Sequence, residues 1–209
     1  MTNAVTLYTN PYSRGRIARW MLEEIGQPYD VVVLDYGTTM KAADYLAINP
    51  MGKVPAIRHG GVIVTEAAAI CAYLADAFPA AGLAPALTDP ARGDYYRWLF
   101  FAAGPLEQAT TNHYAKFDPT PDQARMFGYG SYAQTIDTLE KKFTTSDYVA
   151  GNRFTAADVY VGMAVGWGLE FGTIDKRPAF EAYWNRLKTR PACVAANAKD
   201  DALAAASKG

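Results

Sequence analysis

Hydrophobic and polar positions change period several times in roughly the first eighty residues, and each change marks an element. A short strand-like run, Val5–Tyr8, gives way through Asn-Pro to an amphipathic pattern from about Arg14 to Ile25, and the β-branched run YDVVVLD follows. Lys41–Leu46 predicts a short helix. KVPAIRH and VIVT predict two strands around a Gly60-Gly61 turn, and Glu66–Phe78 predicts a helix with Ile70, Tyr73, Leu74, Ala77 and Phe78 on one face. Strands joined by a helix run parallel, and strands joined by a two-glycine turn run antiparallel. The order β-α-β-α-β-β-α therefore predicts a small, mixed, four-stranded sheet.

After Phe78 the pattern dissolves into PAAGLAPALTDPAR, whose proline, alanine and glycine read as a linker. Beyond it the periodicity is helical: about Ala91–Ala115, Pro121–Thr144, Ala156–Phe171, Ala179–Thr189 and an Ala-rich end, with the DDALAAASKG tail expected to fray. The expected fold class is thus α/β plus all-α, with residues 1–79 as the first domain, 80–90 as linker and 91–209 as a helical bundle. In RFTAADVYVG, Thr155 reads as a helix cap, Asp158 as its capping-box partner and Phe154 with Val159 as a hydrophobic staple. That box nucleates a helix and carries no chemistry.

Composition narrows the function. A chain of 209 residues that is 50% hydrophobic can bury a full core. Its net charge of −1, without a basic run, gives no footprint for nucleic acid or an anionic membrane. The start, MTNAVTLYTN, lacks a signal-peptide pattern and no apolar run reaches spanning length, so the expected compartment is the cytoplasm. Cys71 and Cys193 read as reduced structural thiols, and His59 and His113 have no neighbours at ligand spacing, so no metal is expected.

Three local features admit both a structural and a chemical reading. Pro55 interrupts a strand-like run, as an edge-strand proline or as a cis turn that leaves the Val54 backbone free to pair with an extended ligand. Thr65 reads as the cap of the helix that follows it. Glu66 complements that helix's dipole, or else holds an ammonium while the Ala67 and Ala68 N–H groups hold a carboxylate, together an amino-acid head group. Ser13 caps the first helix, or else offers a hydroxyl to something bound in front of it. It lacks the glycines of a nucleophile elbow, which favours a hydrogen-bond donor over a nucleophile.

In this order and spacing, the strand-to-helix Ser, NPMGKVP, the Glu opening the helix after the hairpin, the Pro-rich linker and the FTAADV box resemble the cytosolic glutathione transferases of bacterial type with a serine-type active site. The likeness covers nearly the whole chain. It implies a thioredoxin-like first domain that binds glutathione as co-substrate, a helical second domain that covers the electrophile site, and a homodimer. It further implies that Val54 beside cis-Pro55 pairs with the cysteinyl backbone, Glu66 with Ala67 receives the γ-glutamyl group, and Lys53 with Lys41 meets the glycyl carboxylate. Ser13 stands where serine-type members donate to the sulfur, with Tyr12 and Tyr8 as rival hydroxyls and Asn10 also within reach of the pocket.

The chemistry of that role is simple. A thiol of pKa about 8.5 is mostly protonated at neutral pH, whereas its thiolate is the nucleophile. Lowering the pKa by about two units requires about 2.7 kcal/mol of preferential stabilisation, within reach of an O–H···S⁻ bond and a helix N-terminus together. Many members have Ser where this chain has Ala67, a loss of about 0.5–1.5 kcal/mol in hydrogen bonding. For the electrophile, Tyr12, Tyr96, Phe100, Tyr114, Phe117 and Trp167 are the candidate pocket residues, with Tyr95 and Phe101 in the same aromatic crowd. The expected reaction is conjugation of glutathione to a small apolar electrophile. Glutathione-dependent reduction of a disulfide or peroxide, or a non-catalytic binding or scaffold role, is the alternative.

Overall fold

The computed structural model describes residues 4–207. Its first strand, β1 (Val5–Thr9), buries Val5, Leu7 and Thr9 on one face and leaves Thr6 and Tyr8 half-buried on the other, the period of two expected of a strand with both faces covered. Helix α1 (Gly15–Ile25) follows and turns Ile17, Ala18, Trp20, Met21, Leu22 and Ile25 inward. It ends on Gly26 in the left-handed region, whose N–H caps the Leu22 carbonyl. Next come β2 (Tyr29–Val33), a 3₁₀ turn (Thr39–Lys41), α2 (Ala43–Leu46), β3 (Ala56–His59), β4 (Val62–Thr65) and α3 (Ala67–Ala77).

The sheet order is β2-β1-β3-β4, with β1 and β2 parallel and the β1–β3 and β3–β4 pairs antiparallel. This is the mixed sheet that the helical crossover and the two-glycine turn predict. KVPAIRH forms a shorter strand than its composition suggests. Pro55 has no N–H for a ladder, and pairing starts only at Ala56. The expected Thr65 cap is also displaced by one residue: the residue at the N-terminus of α3 is Glu66, with φ 66° and ψ 118° and no side-chain capping bond.

The helical remainder departs from its pattern at two places. The run expected over Ala91–Ala115 is α4 (Ala91–Phe101), a π-helical turn (Ala102–Leu106) and α5 (Glu107–Tyr114). Pro105 sits inside that turn and has no N–H to give to the regular ladder. The run expected over Pro121–Thr144 splits into α6 (Pro121–Ala124) and α7 (Tyr132–Thr145). Between them Gly130 adopts φ 67° and Ser131 recaps the chain by accepting from Gln134 N–H.

Helix α8 (Ala156–Phe171) starts at the expected box. Buried Asp158 accepts from Val149 N–H (2.9 Å), Thr155 N–H (2.9 Å), the Thr155 hydroxyl (3.0 Å) and the Tyr183 hydroxyl (2.8 Å). Helices α9 (Pro178–Lys188) and α10 (Pro191–Ala206) complete the chain.

By packing, the chain divides into one unit reaching to Leu83 and taking in the chain from Thr189 onward, and a second unit, Ala84–Lys188. The tail expected to fray is helical through Ala206; Lys208 and Gly209 lie outside the described residues. Ion pairs and the buried Cys193 and Ala196 tie α10 down. Arg190 pairs with Glu24, Lys199 with Glu23, Arg19 with Asp200 and Arg16 with Asp201, so that α10 runs antiparallel along α1.

Candidate active site

Three candidate segments meet through strand register. Tyr8 pairs with Ala56, and Ala56 pairs with Thr65, so these residues form one row across β1, β3 and β4. Immediately beyond that row β1 runs on to Asn10–Ser13, β3 is entered from Val54-Pro55, and β4 exits into Glu66. Residues far apart in sequence thus emerge at one end of the sheet, the carboxyl end of β1, where α/β folds place their ligands.

The Val54–Pro55 bond is cis. The chain before it is held from below: the Tyr45 hydroxyl and Asn49 Nδ2 both donate to the Lys53 carbonyl, at 2.6 and 2.7 Å. Burial pushes the Tyr45 hydroxyl up to about 12, so it remains a donor. Asn49 Oδ1 also accepts from Met51 N–H, and Gly52 turns at φ 57° with its Cα against the Lys41 side chain and the Met40 carbonyl. Lys41 Nζ donates to the Met51 and Gly52 carbonyls at 3.1 and 2.8 Å, while Lys53 is exposed. Tyr8 and Val54 pack on the same apolar cluster of Leu34, Met40, Tyr45 and Ala56. Tyr45 and Asn49 were not singled out in the sequence; the Asn-Pro-x-Gly turn signals Asn49, and nothing local signals Tyr45.

At the β4 exit, Glu66 occupies a backbone region that non-glycine residues rarely adopt. Its side chain is exposed, and its carbonyl accepts the Ile70 N–H at 2.8 Å. Ala67 and Ala68 N–H therefore lie ahead of that first helical bond. Among the described residues Lys116 is the other non-glycine residue with positive φ.

The β1 exit is built differently. Buried Asn10 anchors it: Nδ2 donates to the Leu34 carbonyl at 2.8 Å and Oδ1 accepts from Tyr12 N–H at 3.0 Å. The Ser13 hydroxyl donates to the Asn10 carbonyl at 2.7 Å and accepts from Gly15 N–H at 2.9 Å. A Cβ on Gly15 would lie 1.8 Å from the Thr9 hydroxyl, so only glycine lets α1 start this close to β1. Of the rival hydroxyls, Tyr12 donates to the Ala204 carbonyl of α10 at 3.2 Å, and Tyr8 packs beside Tyr45 with ring centroids 5.8 Å apart. Asn10, expected only to lie within reach of the pocket, is an anchor whose amide nitrogen and oxygen are both engaged.

The candidate electrophile residues are distributed over both units. Tyr12 is exposed in the first. In the second, Phe100 and Tyr114 are the most exposed, at 73% and 75%, Tyr96 and Phe117 less so, and Trp167 is half-buried. Tyr95, by contrast, is fully buried, and Phe101 stacks edge-on to Trp98. The Tyr96 ring is held by Arg92, which donates to its hydroxyl at 2.7 Å. Among the described residues no group of acidic, histidine and cysteine side chains could hold a metal ion, and no helix is long and apolar enough to cross a membrane.

Comparison with known proteins agrees with this architecture. Residues 11–77 match the family described as Glutathione S-transferase, N-terminal domain, and residues 130–191 match Glutathione S-transferase, C-terminal domain. The chain is 30% identical over 159 residues to glutathione S-transferase A of Pleuronectes platessa, covering 72% of this chain and 71% of that protein. A sphingomonad glutathione S-transferase crystallised with glutathione is 31% identical, with TM-score 0.77 over 94% of this chain and 98% of the other. A glutathione transferase of Methylococcus capsulatus is 29% identical, with TM-score 0.78 over 95% and 99%.

Proposed function

The chain belongs to the glutathione S-transferase family, and from that premise we propose that it conjugates glutathione to small apolar electrophiles with Ser13 as the hydroxyl that stabilises the sulfur anion. The observation that carries the reading is the Tyr8–Ala56–Thr65 row, which brings the Ser13, Val54 and Glu66 segments to one sheet end. In this reading the Val54 backbone pairs with the cysteinyl residue, and Glu66 with the Ala67 and Ala68 N–H groups receives the γ-glutamyl head. The Lys41 and Lys53 ammonium groups receive the glycyl carboxylate.

Ser13 has a competing bond to give up. Its proton lies on the Asn10 carbonyl, and activation turns that proton toward the sulfur while Gly15 N–H continues to donate to the oxygen. A hydroxyl that already accepts a hydrogen bond is a better donor, so the Gly15 contact supports the turn. No covalent bond to the protein is required; thiolate stabilisation and proximity supply the rate. The reading includes a site for a small apolar electrophile, and a homodimer.

The test is calorimetric glutathione binding followed by turnover with aryl halides, epoxides and peroxides. Conjugation of an aryl halide or epoxide supports the reading. Binding with turnover of peroxide alone supports the reductive alternative, and binding without any turnover supports a non-catalytic role.

A further inference from the structure

The turn that carries Ser13 is pinned at both ends of one peptide. On one side the Tyr12 N–H donates to Asn10 Oδ1 at 3.0 Å; on the other the Pro11 carbonyl accepts from Arg16 Nε at 2.6 Å. The same guanidinium reaches α10, with Nη2 on Asp201 Oδ1 at 2.8 Å. A planar guanidinium can hold a carbonyl and a carboxylate at once in a fixed fork, and few other side chains can. With Asp201 in place, Arg16 has one orientation in which both bonds form. The Pro11-Tyr12 peptide plane, and with it the position of Ser13 one residue later, is set by that orientation.

We propose that Arg16, braced by Asp201, is a positioning residue for the Ser13 hydroxyl, so that α10 takes part in sulfur activation through α1. The proposal rests on Ser13 being the group that faces the sulfur. Exposure fits such a role. The Arg16 side chain is mostly covered and the Asp201 side chain is 68% exposed, so Asp201 can be replaced without opening a core. The other charged groups at this seam are Arg14 just before α1, Arg19, Glu23 and Glu24 on α1, Arg190 just before α10, and Lys199 and Asp200 on α10; Arg19 pairs with Asp200 at 2.9 Å, Lys199 with Glu23 and Arg190 with Glu24.

The experiment is the pH titration of the ultraviolet thiolate absorbance of glutathione bound to the full chain, its Asp201→Asn variant and its Arg16→Lys variant, all checked for folding by circular dichroism. Simple electrostatics and positioning differ in sign for Asp201→Asn. Removing a nearby negative charge favours the anion and lowers the thiolate pKa, whereas loosening the Ser13 turn weakens the hydroxyl bond and raises it. The expected result is a weaker acid in both variants by about threefold to tenfold, with a lower kcat and an unchanged KM for glutathione. Asp201→Glu should restore part of the loss. A thiolate pKa that stays put or falls in Asp201→Asn, when the unsubstituted protein shows an activated thiol, overturns the positioning role alone. An unsubstituted protein that binds glutathione without activating it overturns both this role and the assignment of Ser13.

Discussion

Helices α1 and α3 begin at the same end of one sheet, and they begin in different ways. At α1 the candidate side chain, Ser13, is fully employed by its own turn: one bond given, one received, and Arg14 after it in ordinary helical geometry. At α3 the candidate, Glu66, is exposed, caps nothing and holds a left-handed backbone. Such a conformation costs on the order of 1–3 kcal/mol and persists where something else requires it. The N-cap residue of α1 is Arg14, without a side-chain capping bond, and the hydrogen bonds of the turn before it explain Ser13 without a ligand; nothing within the turn at α3 explains Glu66 in the same way. The physical case for a ligand is therefore stronger at Glu66, and the case for chemistry at Ser13 depends on its proton changing partners. Helix α8 is the reference: its acidic residue, Asp158, is buried and satisfied by four donors.

The comparison can be sharpened by substitution. Asp158→Ala strands four buried donors and should cost about 3 kcal/mol or more of folding free energy, read by denaturant unfolding, with glutathione affinity of the folded protein unchanged. Ser13→Ala should reduce turnover about 100-fold, the scale of losing one donor to a developing anion, and cost about 1 kcal/mol of stability as lost turn hydrogen bonding. A loss of stability without a loss of turnover would mean that Ser13 only starts a helix. Glu66→Gly should do the reverse. It relieves the positive φ, stabilises the fold by about 1 kcal/mol and weakens glutathione binding about tenfold by calorimetry. A stabilised variant with undiminished affinity would remove Glu66 from the site.

The smallest expected effect concerns the seam behind α1. Burial raises the Asp200 carboxyl above its ordinary value, with Arg19 opposing. An acid raised in the folded state takes up a proton on folding, so its contribution is fully present below about pH 4 and is lost as pH rises through the folded value. Asp200→Asn should flatten the part of the melting temperature profile that falls as pH rises above about 4.

How far the sequence carried depended on whether the cause was local. Strand order and the parallel and antiparallel pairs followed from a helical crossover and a Gly-Gly turn, both visible in a few residues. The break at Gly130 and the π-helical turn at Pro105 were hidden because the apolar period runs on through them. The Glu66 backbone was misassigned because Thr65 is the better cap by residue type. The supports of Val54 lay further away: Tyr45 reaches the Lys53 carbonyl across eight residues, and no periodicity encodes that bond. The contacts that hold α10 to α1, such as Arg190–Glu24, join residues 166 apart in the chain and leave no local signal.

The central claim is that the turn before α1 stabilises a sulfur anion, and the ionisation of bound glutathione tests it most directly. With stoichiometric protein, the ultraviolet thiolate absorbance should titrate at least about one unit below free glutathione, and Ser13→Ala should return it toward the free value while leaving glutathione bound. Bound glutathione that ionises at the same pH as free glutathione would contradict the account.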